Sequence, residues 1–237
     1  MSTEQKIAIV TGASQGIGAA LVRAYRDRNY RVIATSRSVE AYSDADILAV
    51  AGDISKPETA ERVVRKALEH FGRIDTLVNN AGVFVAKPFI EFTQEDYDRN
   101  MGVNVAGFFH ITQRVAAEML KQGCGHIVTI TTSLVNQPIA GVPAALASLT
   151  KGGLNAVTKE LAIEFAKSGI RVNAVSPGII KTPMNPPETH EALAGLHPVG
   201  RMGEIRDIVD AVLYLETAGF VTGEILHVDG GQNAGRW

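Results

Sequence analysis

Apolar and polar positions along the chain follow two alternating rhythms. Short apolar runs that read as strands occur at Lys6–Val10, Arg31–Thr35, Ile47–Ala51, Asp75–Val78, Gly125–Thr131, Arg171–Val175 and Glu224–Val228. Most are apolar at consecutive positions, the pattern of strands buried on both faces. Between them lie stretches with helical spacing. Gly16–Arg28 repeats Ile17, Ala20, Leu21 and Ala24, and Pro57–Phe71 carries its proline in the first turn, where the missing N–H costs nothing. A long helical stretch follows Thr93 to about Gln122, with Asp96 placed for a capping box and Gly102 and Gly107 weakening it. Ala144–Lys167 ends at Ser168-Gly169, where glycine suits a left-handed cap, and Ile205–Glu216 is the last helix.

Strands interleaved with helices predict a parallel sheet covered on both faces. Right-handed crossovers make it an α/β, Rossmann-type, doubly wound sheet of seven strands. No linker, repeat or low-complexity segment divides residues 1–237, so one domain is expected. The least regular stretch, 177–203, contains Pro177, Pro183, Pro186, Pro187 and Pro198. It reads as a lid over a substrate, with a plain surface connection as the alternative.

Composition narrows the class. Hydrophobic residues make up 46%, which excludes wholesale disorder. Lys and Arg number 23 against 25 Asp and Glu, and the net charge of -2 argues against a nucleic-acid partner. The single cysteine, Cys124, excludes an intramolecular disulfide and a Cys-rich zinc cluster; no metal site is expected. No apolar run approaches the ~18 residues of a membrane span. Met1–Lys6 is polar and leads directly into a strand, without space for a secretory signal. A cytoplasmic protein without membrane contact is expected.

The first strand and first helix are joined by Thr11-Gly12-Ala13-Ser14-Gln15-Gly16-Ile17-Gly18. Glycines let a backbone approach a pyrophosphate closely, and a helix N-terminus offers free N–H groups and a positive dipole end. The spacing G-x3-G-x-G differs from the common G-x-G-x-x-G, and a simple turn is the alternative. Placement at the first strand–helix junction favours the phosphate cradle.

This segment resembles the nucleotide-binding motif of the short-chain dehydrogenase/reductase family, classical type. Further matches span nearly the whole chain: Asp53-Ile54, Asn79-Asn80-Ala81-Gly82, Asn104, Ser133, Lys151, Arg171-Val172-Asn173, Ser176-Pro177-Gly178 with Thr182, and Val228-Asp229-Gly230-Gly231. The resemblance implies a nicotinamide cofactor. Asp53 and Ile54 would flank its adenine, Asn80, Ala81 and Gly82 its adenosine ribose, and Pro177, Gly178, Ile180 and Thr182 its nicotinamide end. Asn79 reads instead as a buried structural amide. The end of the second strand, where NAD-preferring members carry an acidic residue, holds Thr35-Ser36-Arg37. A guanidinium fork suits a 2′-phosphate, with Ser14, Ser36 and Ser38 as hydroxyl donors, so NADP(H) is expected over NAD(H). The alternative is a solvated surface arginine.

The family reduces carbonyls with Asn, Ser, Tyr and Lys, the last two spaced Y-x3-K. The resemblance assigns Asn104, Ser133 and Lys151 to three of these roles. The fourth is missing: Ala147 stands four residues before Lys151, and its methyl can neither donate a proton nor bind an oxyanion. The tyrosines, at 25, 30, 42, 97 and 214, lie elsewhere. The interval from Ser133 to Ala147 is also one residue longer than usual, and Thr131 and Thr132 adjoin the serine. Three routes follow. Ser133 donates directly, or Lys151 donates through a water; a lid histidine, His190 or His197, supplies the acid; or the chain is a non-catalytic NADP(H)-binding sensor or partner subunit. The substrate expected is a small apolar or aromatic ketone or aldehyde, met by Met184, Leu193, Leu196 and Val199 of the lid and by Phe84, Phe89 and Phe92. Family members are usually tetramers. The faces Val105-Phe108-Phe109-Thr112 and Ala156-Leu161-Phe165, and Trp237, are candidates for a homotetramer or homodimer interface.

Overall fold

The computed structural model describes residues 5–235; Trp237 and Met1–Glu4 lie outside them. Seven strands form one parallel sheet: β1 (Ile7–Thr11), β2 (Arg31–Ser36), β3 (Ile47–Ala51), β4 (Thr76–Asn79), β5 (Gly125–Ile130), β6 (Ile170–Pro177) and β7 (Ile225–Val228). Their order is β3-β2-β1-β4-β5-β6-β7. Ile9 of β1 sits between Ile33 of β2 and Leu77 of β4. Because β1 is buried on both faces, successive residues serve two cores. Ile7 and Ile9 pack toward α2 (Pro57–Phe71), α4 (Gly107–Gln122) and α5 (Ala145–Phe165). Ala8 and Val10 pack toward α1 (Gly16–Asp27) and α7 (Ile205–Thr217). The expected doubly wound architecture follows from that division. Among the described residues no helix is long and apolar enough to cross a membrane.

The long central helix departs from the expected single stretch. α3 (Gln94–Asn100) starts at the expected Thr93–Asp96 capping box and runs into a π-helical segment, Met101–Ala106, before α4. Such a widened turn re-aims side chains, and Asn104 lies within it. Of the faces expected at an interface, Thr112 and Phe165 are buried within the chain, whereas Phe109 is 54% exposed. Residues 177–203 form no sheet strand beyond Pro177 and include a short helix, α6 (His190–Ala194). The excursion is pinched at its base by the paired residues Ile180 and Gly203.

At the amino-terminal end of the sheet, the Glu216 carboxylate is buried and accepts from Tyr25 and Tyr30 hydroxyls (both 3.1 Å), Thr76 Oγ1 (3.0 Å) and His126 Nδ1 (2.9 Å). Arg171 donates to the carbonyls of Leu215 (2.6 Å), Glu216 (2.9 Å) and Ala218 (3.2 Å) at the end of α7, where a cation opposes the helix dipole. One polar cluster thus ties α1, β4, β5, β6 and α7.

Candidate active site

The chain direction across the sheet reverses between β1 and β4, so a crevice opens beyond their carboxyl ends. Two loops meet there. Thr11 Oγ1 accepts from the Asn80 and Ala81 backbone N–H groups (both 3.0 Å). Asn80 Nδ2 returns bonds to the carbonyls of Thr11 (2.9 Å) and Gly12 (3.2 Å). Asn80 therefore braces the glycine loop through its amide, and Asn79 gives its own amide to Thr112. Gly12 has φ +66°, and a Cβ there would lie 2.9 Å from Ala81 Cα. A Cβ on Gly18 would strike the Gly12 carbonyl, so α1 starts directly beneath the loop. Gln15, the residue before α1, makes no side-chain cap, which leaves the first N–H groups of the helix facing outward. Tight loop, close approach and uncapped helix fit a pyrophosphate.

The crevice continues as a cleft of about 760 Å³. Every residue expected at the cofactor site lines it except Gly18, which supports the loop from below. At one end lie Ser14, Ser36, Arg37, Ser38, Asp53 and Ile54. No carboxylate terminates β2, and the Arg37 side chain is exposed at the rim. Partial burial raises the Asp53 pKa, but bonds from Ser55 and the Arg37 charge more than offset it, and the carboxyl titrates below its usual range.

Toward the middle, α5 delivers Lys151. Its Nζ donates to the Ile130 carbonyl at 2.7 Å, and no carboxylate pairs with it among the described residues. Burial lowers its pKa from 10.5 to about 8. Asn104 does not reach the cleft wall. Its Oδ1 accepts from Val83 N (2.9 Å), and its Nδ2 donates to Val83 O and Thr150 Oγ1 (both 3.1 Å). The π segment thus clamps the Gly82–Val83 loop onto α5 beside Lys151. A Cβ on Gly82 would lie 3.0 Å from Lys151 Nζ. Beneath sits a cavity of about 10 Å³, the size of one water, walled by Lys151, Asn104, Asn79 and Thr129 among others. The buried Thr129 Oγ1 has no hydrogen-bond partner among the described residues.

Three hydroxyls follow β5, and the structure separates them. Thr131 Oγ1 donates to Val175 O (3.3 Å). Ser133 is buried, and its Oγ donates to Gln232 Oε1 at 2.7 Å. The amide of Gln232 is oriented by its Nε2, which donates to Leu196 O at 2.8 Å. Thr132 is half-buried on the cleft wall and accepts from Leu134 N (3.4 Å), so its own proton is uncommitted. Ser133 also lines the cleft, but the hydroxyl hydrogen free to face a substrate is that of Thr132. The sequence names Thr132 only as a neighbour of Ser133, and Gln232 not at all. Three adjacent hydroxyls look alike there, and the only signal for Gln232 is its place just after Val228–Gly231.

Ala147 packs with Leu134 and Ala144, backed by Ile139 and Val142, so the wall beside Lys151 is apolar. No tyrosine lines the cleft among the described residues. Both lid histidines are engaged with backbone groups. His197 Nδ1 donates to Leu193 O (3.1 Å) and its Nε2 accepts from Ile179 N (3.0 Å), while burial lowers its pKa. His190 Nε2 is bonded to Asn185 O (2.9 Å), and neither ring is on the cleft wall. At the far end the wall is made of Phe84, Ala86, Leu134, Val142, Met184 and Leu193. Leu196, Val199, Phe89 and Phe92, also expected there, lie off that wall.

Residues 12–233 match the family model described as enoyl-(acyl carrier protein) reductase. The chain is 36% identical over 242 residues to the 3-oxoacyl-(acyl-carrier-protein) reductase FabG of Salmonella typhimurium, covering 98% of each. Among solved structures it is similar to a 3-ketoacyl-(acyl-carrier-protein) reductase from Brucella melitensis complexed with NADH, with TM-score 0.90, 32% identity and 98% and 100% of the two chains covered. It is likewise similar to ElxO with NADP bound, with TM-score 0.91, 29% identity and the same coverage.

Proposed function

The chain belongs to the short-chain dehydrogenase/reductase family of oxidoreductases, and from that premise we propose that it is an NADP(H)-dependent reductase of an uncharged ketone or aldehyde. One observation carries the reading: an ammonium with no counter-ion among the described residues, Lys151, on the wall of a cleft that joins a phosphate-type loop to an apolar end. The cofactor preference is supported by Arg37 and the absence of a carboxylate at the end of β2. Relatives in structure carry NADP in one case and NADH in another.

A reduced nicotinamide supplies the hydride when bound. The chain's own residues hold the carbonyl and move the proton. Thr132 donates a hydrogen bond to the carbonyl oxygen as negative charge grows there. Ser133, expected in that role, fixes the loop through Gln232. Lys151 Nζ carries the proton for the forming alkoxide, directly or through one water, and an ammonium titrating near 8 suits that transfer. Without a phenol the reaction runs slower than in relatives that have one; loss of a general acid costs ~10²–10⁴-fold. The excursion around α6 acts as the lid, and its apolar wall selects an apolar or aromatic substituent. The reading includes a cytoplasmic setting. It also includes a homotetramer or homodimer joined through exposed Phe109, Leu149 and Ile163 on α4 and α5.

Ala147 favours a second reading, a non-catalytic NADP(H)-binding sensor or partner subunit. The deciding experiment is consumption of NADPH and NADH across apolar ketones, aldehydes and 3-oxoacyl esters, with Lys151→Ala in parallel. The reductase reading expects turnover, faster with NADPH, that drops at least ~10²-fold in the variant. No turnover on any substrate, with NADPH still bound, selects the second reading.

A further inference from the structure

Gln232 is a fully buried side chain that the reaction above uses only to hold Ser133. It lies behind the cofactor floor: a Cβ on Gly178 would come within 3.0 Å of its Oε1. Its two polar ends reach two separate segments. Oε1 accepts a hydrogen bond from Ser133 Oγ, beside Thr132, and Nε2 donates to the Leu196 carbonyl at the end of the lid excursion. The same platform carries the rest of that lid end. Val199 N donates to Gly230 O at 3.1 Å, and Gly231, at φ +94°, packs against Pro198. Asp229 fixes the platform by accepting from Gly231 N (3.0 Å) and Asn233 N (2.9 Å).

We propose that Gln232 is a positioning residue that makes the lid and the hydroxyl loop one mechanical unit, so that the lid seats only when Ser133, and with it Thr132, is in place. The amide cannot serve one partner without orientation for the other. Rotated by half a turn, it would set its oxygen against the Leu196 carbonyl and its NH₂ against a hydroxyl that now has to accept. Moving the lid away leaves the amide N–H groups buried without an acceptor, and moving Ser133 leaves Oε1 without its donor; each is costly in the interior. The two displacements are therefore linked. A substrate that presses the lid home also sets the hydroxyl that holds its oxygen. This goes beyond the reductase reading and rests on it only for the kinetic arm of the test.

The test is hydrogen exchange at the Leu196, His197 and Val199 amides and at the Asn136 and Gln137 amides; Val199 is hydrogen-bonded to Gly230, the others within their own segments. Gln232→Met, close in shape but without the polar ends, is expected to speed exchange roughly tenfold in both segments. Ser133→Ala, a mild change at the far end of the link, is expected to speed exchange in the lid as well. If Ser133→Ala leaves the lid amides at their wild-type rate, Gln232 is only a lid fastener and the proposal is overturned. In the kinetic arm, Gln232→Met lowers kcat about tenfold with NADPH affinity within about twofold, and has little further effect when Ser133 is already Ala. Independent, additive losses would also overturn it. A wild-type protein without turnover defeats the reductase reading, and the exchange result alone then decides the link.

Discussion

Lys151 Nζ gives one hydrogen bond to Ile130 and faces an apolar wall, and burial sets its pKa near 8. If its proton goes to the product, the rate of carbonyl reduction at saturating cofactor is flat below pH 8 and falls as pH rises through that value. The reverse oxidation rises over the same range. A pH–rate profile without that limb removes Lys151 as the acid. The same burial acts on stability. The unfolded chain titrates this lysine near 10.4 and the folded one near 8, so between those values the unfolded state binds more protons and stability climbs with pH. Below pH 8 the cost is complete, about 3 kcal/mol. Lys151→Met is therefore expected to gain up to about 3 kcal/mol in urea unfolding at pH 7 while losing activity. A destabilised variant would mean that the ammonium is not held at a cost.

At the scale of elements, the site depends on how closely α1 abuts the first loop. Gly18→Ala places a methyl on the Gly12 carbonyl and against the Asn80 amide, both rigidly held. It is expected to weaken NADPH binding, read by fluorescence titration, at least ~10-fold, with the fold retained in circular dichroism. Unchanged affinity would show that the loop position does not set phosphate binding. The elements themselves were largely legible in the sequence. Strands such as β1 and β2 announce themselves because both faces are buried and the apolar run is unbroken. The Thr93–Asp96 box and the left-handed Gly169 carry their conformational reasons in their residue types. The π segment was not legible, since a widened turn leaves the apolar period of Met101–Ala106 almost unaltered. Nor was the assignment of hydroxyls after β5. Thr131 and Ser133 meet a distant carbonyl and a distant amide while Thr132 meets only the nearby Leu134 N–H, and that is set by β6 and by Gln232, more than 40 and about 100 residues away. Likewise His197 reads as a titratable lid residue until both ring nitrogens are seen on backbone groups.

The whole molecule has two polar ends. Opposite the cleft, Glu216 collects four donors, and Asn173 Nδ2 lies 3.3 Å from His126 Nε2 in the donor geometry that keeps that ring neutral. Burial alone would raise the Glu216 pKa, but His126, Thr76 and Tyr30 together hold it well below the usual carboxylate range. A depressed carboxyl contributes stability that is present above its unfolded pKa of about 4.3 and lost as pH falls toward its folded value. Glu216→Gln is expected to cost roughly 3 kcal/mol at pH 7 in urea unfolding and to flatten the loss of stability below pH 4. An unchanged acid limb would place that lability elsewhere. Because this anchor lies at the amino ends of the strands and the cleft lies beyond their carboxyl ends, the two share no side chain. For protein engineering, the molecule behaves as a chassis with an interchangeable top. Loops around residues 84–86, 134–143 and 182–196 can be recombined to recruit new carbonyl compounds, and stabilising changes installed around Glu216 should add to them with little cross-talk.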